Sequence, residues 1–94
     1  MANHKSALKR NRQSLVRRAR NRAIKSKVKT VVRAVNEAVE QGTVETAQAA
    51  LKVAIPVIQK AASKGTLHRK TASRKVSRLT KRVNGFAASA QAAE

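Results

Sequence analysis

No proline and no glycine occurs before Gly42, so nothing in the first 41 residues forces the backbone to turn. Arg, Lys, Ala, Leu and Gln, which dominate the stretch, all favour helix. The sequence therefore predicts one helix from about Ala7 to Gln41. Its character changes partway along. At about 100° per residue, Ile24, Val28, Val31, Val32, Val35, Ala38 and Val39 share one face, and Lys29, Arg33, Glu37 and Glu40 lie opposite. Before Ile24 that order is lost: Arg10 and Arg17 take the angular positions that Val28 and Val35 hold later, and other cations point every other way. An apolar helix face calls for a protein partner, whereas a helix cationic all round calls for a polyanion.

Charge divides the chain into three blocks. Residues 1–33 carry twelve Lys or Arg (Lys5, Lys9, Arg10, Arg12, Arg17, Arg18, Arg20, Arg22, Lys25, Lys27, Lys29, Arg33) and no acid. Residues 34–63 set Lys52 and Lys60 against Glu37, Glu40 and Glu45. Residues 64–86 are basic again, with Lys64, Arg69, Lys70, Arg74, Lys75, Arg78, Lys81 and Arg82. The net charge of +18 exceeds what solubility needs and implies self-repulsion unless a partner supplies negative charge. Ninety-four residues make one small domain with a modest core, expected over 1–86, with a flexible Ala-rich tail over 87–94.

Glycines punctuate the chain. Gly42 is expected to close the first helix in a left-handed conformation, which glycine adopts at least cost. Thr43 can cap a second helix over about 44–64, with Glu45 facing the positive end of its dipole. There Val44, Ala47, Leu51, Ala54, Ile55, Ile58 and Ala62 form a 3–4 stripe. Pro56 falls opposite the stripe, so a bend rather than a break is expected. Gly65 ends this helix, and Thr66 or His68 starts a third over about 67–84. Its apolar edge is Ala72, Val76, Leu79, Val83 and Phe86, and Asn84-Gly85 reads as a stop signal. The expected fold is all-α: a three-helix up-down-up bundle whose long first helix overhangs by roughly 30 Å.

Several function classes find no material. The chain has no cysteine, hence no thiol chemistry and no thiolate zinc site. No apolar run nears membrane-span length, and no signal-peptide apolar region follows the basic start. An Arg-rich, acid-poor N-terminus is a feature of organelle transit peptides, but the basic character returns near the C-terminus, and a cytoplasmic location is expected. A membrane-surface helix wants Trp, Phe or Leu beneath its cations, and before Ala23 the sizeable apolar residues are Leu8, Leu15 and Val16. Ser6-Ala7-Leu8-Lys9 and Ser26-Lys27-Val28-Lys29 match S-x-x-K, a pattern that arises by chance in a chain rich in Ser and Lys; its companion motifs are absent. No carboxylate pair or Gly-rich phosphate loop suggests an enzyme, and no cofactor, metal or small-molecule substrate is expected. His4 and His68 read as caps or phosphate contacts rather than metal ligands.

Two helical basic blocks with a neutral segment between them point to a nucleic acid. Phe86, the only aromatic residue, sits in an apolar stripe, so no stacking platform for single strands exists. What remains is phosphate neutralisation, with Asn3, Asn11, Gln13, Asn21, Ser and Thr as short hydrogen-bonding groups among the cations. Folded RNA suits this, because its helices can approach a rod from several sides. The alternative is a histone-like, DNA-compacting protein; such tails favour Lys, Ala and Pro, whereas here Arg is as common as Lys and Pro56 is the sole proline.

Specific residues carry a resemblance. Met1-Ala-Asn-His-Lys-Ser-Ala-Leu-Lys-Arg10, the break at Gln41-Gly42, Pro56, and Lys64-Gly65-Thr-Leu-His-Arg-Lys-Thr-Ala72 with Arg74-Lys75 and Ser77-Arg78-Leu79 resemble the family of the twentieth protein of the bacterial small ribosomal subunit. The likeness runs from Ala2 to about Phe86 and leaves the Ala-rich tail outside. It implies a three-helix bundle that binds small-subunit ribosomal RNA directly and helps it fold, with few protein contacts. The charge blocks and the resemblance together nominate Asn3, His4, Lys5, Lys9, Arg10, Arg12, Arg17, Arg18, Arg20, Arg22, Lys25, Lys27, Lys29, His68, Arg69, Lys70, Arg74, Lys75, Arg78, Lys81 and Arg82 as RNA contacts.

Overall fold

The computed structural model describes the backbone of residues 2–93 and the side chains of residues 5–90. Three helices account for nearly all of it: α1 over Ala2–Gln41, α2 over Val44–Ser63 and α3 over Arg69–Ala93, with no strand among the described residues. The bundle is all-α, and α2 packs along both other helices while α1 and α3 touch each other more sparsely. Two cross-links set the direction of α3. Thr66 Oγ1 donates to Asn21 Oδ1 at 3.1 Å near its start, and Arg82 Nη1 donates to Asn36 Oδ1 at 3.0 Å farther on. α3 therefore runs parallel to α1, and α2 runs back between them.

Apolar periodicity selects the core. Val28 and Val35 of α1, Ala47, Ala54, Ile58 and Ala61 of α2, and Ala72, Leu79 and Val83 of α3 are buried. The largest fully buried side chains, Val35, Ile58 and Val83, come one from each helix. Each contributes roughly 1.5–3 kcal/mol by leaving water. Ile24, Val31, Val32, Leu51, Val76 and Phe86 pack half-buried around them. Pro56 is exposed, and α2 continues through it unbroken.

The connections are defined by their caps. Thr43 and Thr46 form a capping box: the Thr46 amide donates to Thr43 Oγ1 at 3.2 Å, and the Thr43 amide donates to Thr46 Oγ1 at 2.9 Å. At the far end of α2, Gly65 takes a φ of +80°. Its amide donates to the Ala62 carbonyl and that of Thr66 to the Ala61 carbonyl, both at 3.0 Å, which is a Schellman closure.

Two expectations need correction. Gly42 is not left-handed; Gly65 is the glycine with positive φ. Glycine is needed at 42 because of crowding: a Cβ there would lie 2.6 Å from Thr46 Oγ1 and 2.8 Å from the Ala38 carbonyl oxygen. Nor does α3 stop at Asn84-Gly85; it runs on to Ala93. A glycine inside a helix costs about 1 kcal/mol relative to alanine. Phe86 packing against the core, half-buried Ala87 and Ala90, and the high helix propensity of alanine offset that cost.

Candidate nucleic-acid interface

The Thr66–Asn21 hydrogen bond marks where the bundle ends along α1. Residues 5–20 project beyond it, a rod of about 24 Å at about 1.5 Å per residue. Every side chain in that rod is exposed except Ser14, which is half-buried. Lys5, Lys9, Arg10, Arg12, Arg17, Arg18 and Arg20 are therefore all open to a partner, and so are Arg22, Lys25, Lys27 and Lys29 just beyond. The whole molecule is accordingly elongated, 74 × 22 × 14 Å.

The second set of cations lies on α3. Arg69, Lys70, Arg74, Arg78 and Lys81 are exposed. By the helical step, Arg78 and then Arg74 follow the α1-facing Lys75 and Arg82 around α3, Lys81 points directly away from the core, and Lys25, Lys29 and Arg33 leave α1 in the direction of α3. A groove lined by Lys29, Val32, Arg33, Asn36, Glu37 and Lys75 runs between the two helices, and Lys75 is half-buried in it. One broad side of the bundle thus carries cations from both α1 and α3. The outward side of α2 carries exposed Lys52 and Lys60.

Not every nominated residue is free. Arg82 spans from α3 to α1, donating to Asn36 Oδ1 and, at 3.4 Å, to Glu40 Oε1. This is the one ion pair among the described residues. His68 caps α3: its Nδ1 accepts from the Lys70 amide at 3.2 Å, and its carbonyl accepts from the Ala72 amide at 3.0 Å. The side chains of Asn3 and His4 lie outside the described residues. Asn21, read from sequence as a polar group between cations, instead ties α1 to the α2–α3 connection. Local spacing carried no sign of either tie, because Asn21 and Thr66, like Asn36 and Arg82, are some 45 residues apart.

The electrostatics follow directly. With 22 cations against 4 acids and a single ion pair among the described residues, almost no positive charge is neutralised internally. Exposed cations at this density attract phosphate and repel one another. No group of His, Cys, Asp and Glu able to hold a metal converges among the described residues, and no helix is long and apolar enough to cross a membrane. Such a surface is suited to a polyanion, with hydroxyls and amides as secondary donors.

The family model described as ribosomal protein S20 matches residues 2–84. The small ribosomal subunit protein bS20 of Syntrophobacter fumaroxidans is 57% identical over 86 residues, covering 92% of this chain and 100% of that protein. The protein of the same name from Nitratidesulfovibrio vulgaris strain DP4 is 58% identical over 87 residues, covering 93% and 100%. That of Trichlorobacter lovleyi is 60% identical over 84 residues, covering 89% and 97%.

Proposed function

Because the chain belongs to the ribosomal protein S20 family, we propose that it is a structural component of the small ribosomal subunit that binds folded small-subunit ribosomal RNA directly and stabilises its fold during assembly. Its role is structural, not enzymatic, and its place is with the subunit in the cytoplasm. One observation carries the reading: α1 offers an acid-free cationic rod beyond the bundle, while α3 offers a second basic face on the bundle itself. The bundle fixes the α3 face, and α1 leads from it into the rod. RNA phosphates remove the repulsion among the cations, and their released counterions supply much of the binding free energy.

Salt titration tests this. If about ten of the exposed cations meet phosphates, log affinity falls against log salt with a slope of roughly −7 to −9. A nearly flat titration against folded small-subunit RNA is incompatible with the proposal. Sedimentation of cell extract at moderate salt supplies the cellular counterpart, with the protein expected in small-subunit particles.

A further inference from the structure

The projecting part of α1 is not cationic on every side. Leu8, Leu15 and Val16 are 55%, 56% and 64% exposed, and with Val53 they are the exposed large hydrophobic side chains among the described residues. At about 100° per residue, Leu8, Leu15, Val16, Ala19 and Ala23 fall within an arc of about 100°, interrupted by Lys5 and Arg12. That arc points away from the face that carries Val28 and Val35 into the core, so no part of the bundle covers it. From Leu8 to Ala23 it runs about 22 Å. Arg18 and Arg22 line one edge, and Lys9 and Arg20 line the other.

An occupant must match a narrow apolar strip between two cationic edges, on a segment with no acid before Glu37. A second copy does not, because pairing two strips would bring two dense cationic blocks together. A bilayer surface wants a broader apolar face bearing aromatic residues. The minor groove of an RNA helix does match. It is wide and shallow, it shows ribose and base edges along its floor, and a phosphate strand runs along each side.

We propose that the Leu8–Leu15–Val16 face of α1 lies along an RNA minor groove, with its apolar side chains against the ribose surface and its two basic edges on the phosphates of the two strands. This rests on RNA being the partner, as proposed above, and adds which face of α1 meets it and what part of the RNA it meets.

The test compares full-length wild type with Leu8→Ala/Leu15→Ala and Leu8→Lys/Leu15→Lys on folded small-subunit RNA across a salt series. Alanine keeps the helix propensity, so loss of helix does not confound the first variant. It should bind about tenfold more weakly at every salt concentration with an unchanged slope, because no phosphate contact is lost. The lysine variant should also bind more weakly despite its two added charges. Since the chain lacks cysteine, an iron chelate can be placed uniquely at Leu15→Cys, and it should cleave both strands of one RNA helix. Wild type that fails to bind the RNA overturns both readings. Steep, salt-dependent wild-type binding with an alanine variant within twofold of it, or a lysine variant that binds more tightly, overturns this one alone. So does loss of binding to phosphatidylglycerol vesicles, rather than to RNA, in the alanine variant.

Discussion

At the residue scale, the three glycines play three different parts, and alanine substitution separates them. Gly42→Ala places a methyl group against the Ala38 carbonyl, a backbone atom that cannot move aside. Overpacking of this kind costs about 1–3 kcal/mol. Gly65→Ala meets no atom within 4 Å, but must hold alanine at a φ of +80°, at about 1–2 kcal/mol. Gly85→Ala also meets nothing, and its backbone is helical, so it should stabilise by about 0.5–1 kcal/mol. Denaturant unfolding of the three variants checks the order; a destabilising Gly85→Ala would mean that α3 does not pass through that position as a helix.

At the element scale, α3 has one side for the core and one for the partner. Arg74→Ala with Arg78→Ala should weaken RNA binding and reduce the salt slope, yet leave stability within about 0.5 kcal/mol per site. Leu79→Ala should do the reverse, costing about 2–5 kcal/mol by emptying core volume. Unfolding curves and binding isotherms on the same samples decide between them, and loss of folding in the arginine variant would reverse the assignment of faces. Arg82→Ala should behave differently from Arg74→Ala. It breaks an exposed pair, so stability falls by at most about 1 kcal/mol, while RNA affinity falls less than at Arg74 because Arg82 is already engaged with α1.

The projecting part of α1 poses a different problem. A helix of about 16 residues without tertiary packing is marginal in water. Lys5/Lys9 and Arg18/Arg22 add i,i+4 repulsions of a few tenths of a kcal/mol each. In the free protein, amides before Ile24 should therefore exchange fast and those after it slowly, and adding RNA should extend protection toward Lys5. Amide exchange followed by mass spectrometry reads this directly. Protection of Lys9 to Arg22 without RNA would show that the segment is stabilised by something other than the partner.

At the scale of the whole molecule, the bundle works as a small anchor for a long charged rod. Its core is made of valine, leucine, isoleucine and alanine, with Phe86 at its margin, and α2 supplies the surface on which both other helices pack. Such a core is modest, and a net charge of +18 opposes it. Raising salt should therefore act in two directions at once, stabilising the free fold by screening while weakening its hold on RNA. Thermal unfolding of the free protein in rising potassium chloride should show Tm increasing over the range in which RNA affinity collapses.

Much of this was legible from the sequence because it depends on periodicity, and periodicity is local. The 3.6-residue step alone places Val28, Val35, Ala54, Ile58, Leu79 and Val83 on the inward faces, and all six are buried. Thr43 announced a cap, and Gly65 announced a helix end. Charge blocks separated the rod from the bundle. Leu8, Leu15 and Val16 were legible as the sizeable apolar residues before Ala23, but that nothing covers them depends on where the bundle ends along α1, which the packing of the other two helices decides. What required the tertiary structure was pairing across distance. That Arg82 reaches Asn36 and Glu40, and that Thr66 holds Asn21, depends on two helices lying side by side in one register, which no local spacing encodes. The course of α3 past Gly85 was likewise a tertiary decision. The local cost of glycine was small, and it was outweighed by packing Phe86 against a core that the rest of the chain had built.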